Sequence, residues 1–179
     1  ILGDLLDQPD SVQAPERLAE IRQILDLLKS PWIVLPGNHD PDPPDFHKIL
    51  PQSPEILDLG GARFLPFCDK NEPGYNASRS EQDIARMDGA RQGYDGPLIA
   101  LQHVSQGPPE KMDVWFRYLN SDAILDAMRR NRVALSLSGH AHVTRHVRQD
   151  GMHFVVAPAL CESPFRYLIV TLDGEKVEM

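Results

Sequence analysis

The sequence predicts an α/β domain that turns mostly β towards its end. Three observations carry this. Apolar, β-prone runs at 32–35, 97–101 and 133–137 each stop at a small polar cluster. Helix-period segments lie between those runs. From Val143 onward that period vanishes, and short strand patterns separated by turn residues take over.

The elements follow in order. Ile1-Leu2 reads as the tail of a strand that closes on Gly3-Asp4-Leu5-Leu6-Asp7, and the cluster at 8–11 is a loop. A helix follows, with Pro15 in its first turn and Leu18, Ile21, Leu25 and Leu28 on one stripe. Ile24 and Leu27 widen the stripe, so the helix is expected to pack on a sheet; Ser30-Pro31 ends it. The strand at 32–35 completes a β-α-β unit, which predicts parallel strands and a right-handed crossover. The proline-rich stretch 41–54 is a loop with one short helical turn. Strands are expected at 56–59 and 62–67, joined at Gly60-Gly61, then a loop at 71–75. A helix at 80–91 turns Ile84 and Met87 inward. The strand at 97–101 ends in Gln102-His103. Beyond an aromatic cluster, Trp115-Phe116-Tyr118, Ser121 is the expected N-cap of a helix carrying Ile124, Leu125 and Met128. The strand at 133–137 ends at Ser138-Gly139-His140. Four strands are expected at 143–147, 152–156, 167–172 and 176–179, with turns at Asp150-Gly151 and Asp173-Gly174.

The 179 residues suit one domain over 1–179 with a real interior. Apolar residues make up 41 % and charged ones 25 %, and no run is long enough to span a bilayer. A formal charge of -8 speaks against a general nucleic-acid surface, although bound divalent cations reverse the local field for a phosphate substrate. Cys68 and Cys161 lack metal-ligand spacing and read as free thiols in a reducing, cytoplasmic setting. The first residue is Ile1, and the chain is read as a fragment that lacks its true start.

Chemistry concentrates at the strand ends. They offer Asp4, Asn38, His103, and His140 with His142: oxygen and imidazole donors without thiolate, a set that suits manganese, iron or zinc. Glycine precedes the polar residues at three of these ends, Gly3, Gly37 and Gly139, where it permits a sharp turn and close approach. Taken alone, Asp4 is a turn residue, Gly37-Asn38 a common turn and His103 a hydrogen-bonded histidine. Gly139-His140-Ala141-His142 is read as a bend, so its imidazoles can address neighbouring ions. Their ordered combination on separate strands is what points to a metal centre.

In that order the motifs resemble the calcineurin-like metallophosphoesterase superfamily: Gly-Asp-x-x-Asp at 3–7, Gly-Asn-His-Asp at 37–40, a lone His103, and Gly-His-x-His at 139–142. The resemblance implies two packed mixed β-sheets flanked by helices, an α/β/β/α sandwich lacking its first strand. It also implies two divalent ions (Mn, Fe or Zn). Asp4 is then the bridging carboxylate, Asn38, His103 and His140 complete one site, and His142 belongs to the other. The family's first motif, Asp-x-His, is missing; it is expected on a β-α unit about 30 residues upstream. The chain from Ile1 is accordingly expected to hydrolyse poorly by itself. His39 is implied as general acid, with Asp7 as its orienting partner, and Asp40 as a brace of the loop.

The implied reaction is metal-dependent hydrolysis of a small phosphomonoester or phosphodiester. It leans to the bacterial cyclic-nucleotide phosphodiesterase branch, with no membrane partner and no assigned oligomeric state. A superfamily nuclease would need a basic groove, and a non-catalytic scaffold would have no need of intact Asn38, His39, His103, His140 and His142. His47, His146 and His153 are expected on the surface or behind the site. Arg145 and Arg148 are candidates either for a phosphate contact or for a solvated strand face. The 41–54 loop and the 115–118 aromatics are candidate pocket walls or ordinary packing.

Overall fold

The computed structural model describes residues 1–112, 115–173 and 176–178. The elements are α1 (Ala14–Leu25), α2 (Pro43–Phe46), β1 (Leu57–Leu59), β2 (Ala62–Pro66), β3 (Lys70–Glu72), β4 (Asn76–Ser78), α3 (Glu81–Arg91), β5 (Leu98–Leu101), α4 (Pro109–Met112), α5 (Ser121–Arg130), β6 (Val133–Ser138), β7 (Arg145–Gln149), β8 (Met152–Val156), β9 (Thr171–Asp173) and β10 (Lys176–Glu178). The main sheet is six-stranded and mixed, in the order β1-β2-β5-β6-β8-β7. β2, β5, β6 and β8 run parallel; β1 and β7 close the edges antiparallel. This is the expected mixed α/β architecture.

Layering follows from the strand alternation. One sheet face carries Leu65, Leu98, Ala100, Val133 and Phe154 against Met87 and Ala90 of α3 and Ile124, Ala127 and Met128 of α5. The opposite face carries Ile99, Leu101, Leu135 and Val155 against Leu2, Ile33, Leu35, Leu168 and Val170. Val34 points the other way, into a cluster with Leu6, Leu18, Leu25, Phe46 and Leu50. Helices, sheet, extended segments and α1 thus succeed one another as layers.

The extended layer departs from expectation in detail. Residues 32–35 form no ladder strand, yet the parallel pairing is present: the Ile1 amine donates to Ile33 O (2.6 Å) and Leu35 N to Ile1 O (3.0 Å). Of 167–172, Thr171 and Leu172 alone join a ladder, as part of β9 paired with β10. The expected turn residue Gly174 and the strand end Met179 lie outside the described residues. α1 stops at Leu25; Ile24, on its outer face, and Leu27, beyond its end, are 64 % and 81 % exposed and Leu28 is exposed as well, so the predicted stripe was too wide. Residues 70–78, expected to contain a loop, instead form the β3–β4 hairpin. Ser80 caps α3 by accepting from Asp83 N at 3.0 Å. Asn120, not Ser121, is the residue before α5, and its side chain clasps Arg79 N and O rather than the helix. The Asp150-Gly151 turn, with φ 52° and 80°, joins β7 to β8 as expected.

Candidate metal centre

Two parallel pairings bring the motifs together. In the main sheet Leu101 lies beside Leu137, and Gly139 N donates to His103 O at 2.9 Å, so His103 and His140 emerge side by side. In the extended layer the Ile1–Leu35 pairing sets Asp4 beside Gly37-Asn38-His39. The layers are joined where His103 Nδ1 meets Leu2 O at 2.5 Å.

The glycines make this approach possible. A Cβ on Gly37 would lie 2.2 Å from Asp4 Oδ1, and one on Gly3, whose φ is +92°, would lie 2.5 Å from His103 Nδ1. Asp40 is buried and braces the turn: Oδ1 accepts from Leu5 N (2.9 Å) and Leu6 N (3.1 Å), and Oδ2 from Gly37 N (2.8 Å). Burial pushes its carboxyl above the usual range.

Hydrogen bonding fixes both tautomers. A carbonyl only accepts, so His103 Nδ1 carries a proton for Leu2 O, and His140 Nε2 carries one for Tyr75 O at 3.1 Å. The remaining nitrogens, His103 Nε2 and His140 Nδ1, turn lone pairs towards each other across 3.0 Å. Asn38 Oδ1 lies 3.0 Å and Asp4 Oδ2 3.3 Å from His103 Nε2. One ligand atom each from Asp4, His103 and His140 falls within a 4.8 Å span. Burial, then the neighbouring His103, lowers the His140 pKa to about 4 and keeps it neutral. Burial raises the Asp4 carboxyl, but His103 in its protonated form and the His39 N–H outweigh it and hold it below the usual range. Electron-pair donors converging without a proton between them fit a divalent cation, and outer N–H groups bonded to carbonyls are the usual support of histidine ligands.

The other expected residues stand nearby. His39 N donates to Asp4 Oδ1 at 3.0 Å, and His39 Nδ1 donates to Asp7 O at 2.9 Å. That partner is the Asp7 main-chain carbonyl, not its carboxylate, and Asp7 is exposed. His142 lies outside the Asp4–His103–His140 group, with its Nδ1 2.8 Å from Glu162 Oε1. Glu162 has no motif signature and escaped the sequence reading, as did Tyr75 and Leu2, which act through main-chain carbonyls. His153 is buried rather than superficial, 2.8 Å from His146. Arg145 donates to Lys111 O. Cys68 and Cys161 are both free thiols.

Comparison with known proteins agrees with this geometry. The family model for calcineurin-like phosphoesterases matches residues 1–144. A probable cyclic nucleotide phosphodiesterase of Rhodococcus erythropolis (strain PR4 / NBRC 100887) is 26 % identical over 175 residues, covering 89 % of this chain. The chain spans 56 % of that relative's length.

Proposed function

Because the chain belongs to the calcineurin-like phosphoesterase family, we propose that it hydrolyses phosphoester bonds in small molecules with divalent cations, with a lean to phosphodiesters of the cyclic-nucleotide type. One observation carries the reading: the lone pairs of His103 Nε2 and His140 Nδ1, 3.0 Å apart, face each other beside Asp4 and Asn38. Asp4, Asn38, His103 and His140 are assigned to one manganese, iron or zinc ion. His142, steadied by Glu162, is assigned to a second. Bound divalent ions supply an activated water and neutralise charge on the phosphoryl oxygens.

The chain's own residues do the rest. His39 is held at two points, its N–H on Asp4 and its Nδ1–H on the Asp7 carbonyl, which leaves Nε2 free to take up a second proton; as the imidazolium, the ring hands that proton to the departing oxygen and returns to the neutral Nδ1–H form. Asp7 orients that ring through its main chain. Asp40 keeps the Gly37 turn closed beneath it.

The test is hydrolysis of bis(p-nitrophenyl) phosphate and p-nitrophenyl phosphate by the intact protein, stripped with EDTA and resupplied with Mn²⁺. Turnover is expected to return with the metal and to vanish in Asp4→Asn. His39→Ala is expected to cut kcat by about 100-fold or more while metal content stays. Metal-independent turnover, or loss of the metal on His39→Ala, contradicts the assignment.

A further inference from the structure

Two aromatic rings reach the cluster from outside the ligand-bearing loops. The β3–β4 hairpin ends at Tyr75, whose carbonyl holds His140 Nε2 and whose ring centroid lies 6.5 Å from the His140 ring. The Phe116 and His140 rings meet in a T, with centroids 4.3 Å apart. Neither ring sits on a loose segment. Ala77 N donates to Arg117 O (3.1 Å), Leu119 N to Ala77 O (2.8 Å) and Arg117 N to Asn76 Oδ1 (2.9 Å). Behind them Arg79 forms a two-point ion pair with Asp69, which also accepts from Tyr118 Oη at 2.6 Å. Packing explains Tyr118, which is buried. It does not explain Tyr75, which is 62 % exposed and held at φ 62°, a left-handed conformation that bulky residues seldom adopt. Phe116 stays part-exposed, and its single T-shaped contact with His140 leaves part of its ring surface open to another partner.

We propose that Tyr75 and Phe116 determine specificity by stacking on a planar, aromatic part of the substrate, a nucleobase, while its phosphate lies at Asp4, Asn38, His103 and His140. This rests on the hydrolase reading and assigns the two residues by which that site tells a nucleotide from a base-free ester. Two ring faces beside a phosphate site suit a nucleotide because every base offers a π face. They read no base edge, so the preference is for a base over none rather than for one base over another.

Adenosine 5′-monophosphate and inorganic phosphate are titrated against the intact, Zn²⁺-loaded protein. The nucleotide is expected to bind about tenfold tighter or better. Tyr75→Leu and Phe116→Leu narrow that preference, and Tyr75→Phe restores it. Thymidine 5′-p-nitrophenyl phosphate and methyl p-nitrophenyl phosphate share leaving group and scissile bond. The ratio of their kcat/KM values falls in the leucine variants, through KM rather than kcat. Should those variants not fold, nuclear Overhauser contacts from adenine protons to the Tyr75 and Phe116 rings in the wild type decide the matter. Equal affinity for the two ligands, a preference that survives both leucine variants, or adenine contacts elsewhere overturns the proposal. If neither ester is hydrolysed yet the nucleotide preference depends on the two rings, the hydrolase reading alone fails.

Discussion

Three of the proposed metal ligands, Asp4, His140 and His142, have positive φ, at 55°, 65° and 54°. Non-glycine residues there carry a conformational cost, and the surrounding pairing and glycine contacts sustain it. The motif letters were legible in the sequence, but these conformations were not, because nothing in an Asp or His marks a left-handed backbone. The carbonyls that set the His103 and His140 tautomers left no trace either, since any residue supplies one. Residue chemistry also sets a pH dependence. In the metal-free fold His140 titrates near 4, against 6.5 for an ordinary histidine. The unfolded chain therefore takes up this proton first. The His140 contribution to stability is complete above pH 6.5 and is lost as pH falls towards 4. It amounts to at most about 2–3 kcal/mol, because the ring is only part-buried and solvent screens it. Urea unfolding of metal-free protein at pH 7 and pH 4.5 is expected to show this loss, and His140→Gln to lose less. Equal losses in both proteins would contradict the neutral, part-buried imidazole.

At the scale of elements, period and turn residues located the central strands and α3, because packing there agrees with local preference. The β3–β4 hairpin escaped because Lys70-Asn71-Glu72 and Asn76-Ala77-Ser78 lack β-branched or aromatic residues. Tertiary contacts make it: the Ala77–Tyr118 bridge, and the ion pair between Arg79 and Asp69, whose side chains are 0 % and 6 % exposed. Arg79 also lies over the Phe67 ring at 3.6 Å. Asp69→Asn leaves a buried guanidinium without its counter-charge, and the expected cost is about 3–5 kcal/mol in urea unfolding. The same substitution should loosen Tyr75 and Phe116, weakening nucleotide binding more than phosphate binding. A loss below about 1 kcal/mol would mean that solvent, not Asp69, satisfies Arg79.

For the whole molecule, the order of motifs and the change from α/β to β were enough to foresee a layered α/β fold in which these donors gather at the strand ends. What they could not supply was the spacing between layers, which the Leu2–His103 contact and the facing Gly3 and Gly37 set by side-chain-free approach. That spacing decides whether the donors meet or merely share a surface. The most direct measurement is anomalous scattering at the zinc edge from a crystal of the intact protein grown with Zn²⁺. A peak is predicted about 2.0–2.2 Å from His103 Nε2, His140 Nδ1 and the Asp4 carboxylate, with Asn38 Oδ1 beside it. Zinc bound elsewhere, with these four side chains hydrogen-bonded to one another or to water alone, would contradict it.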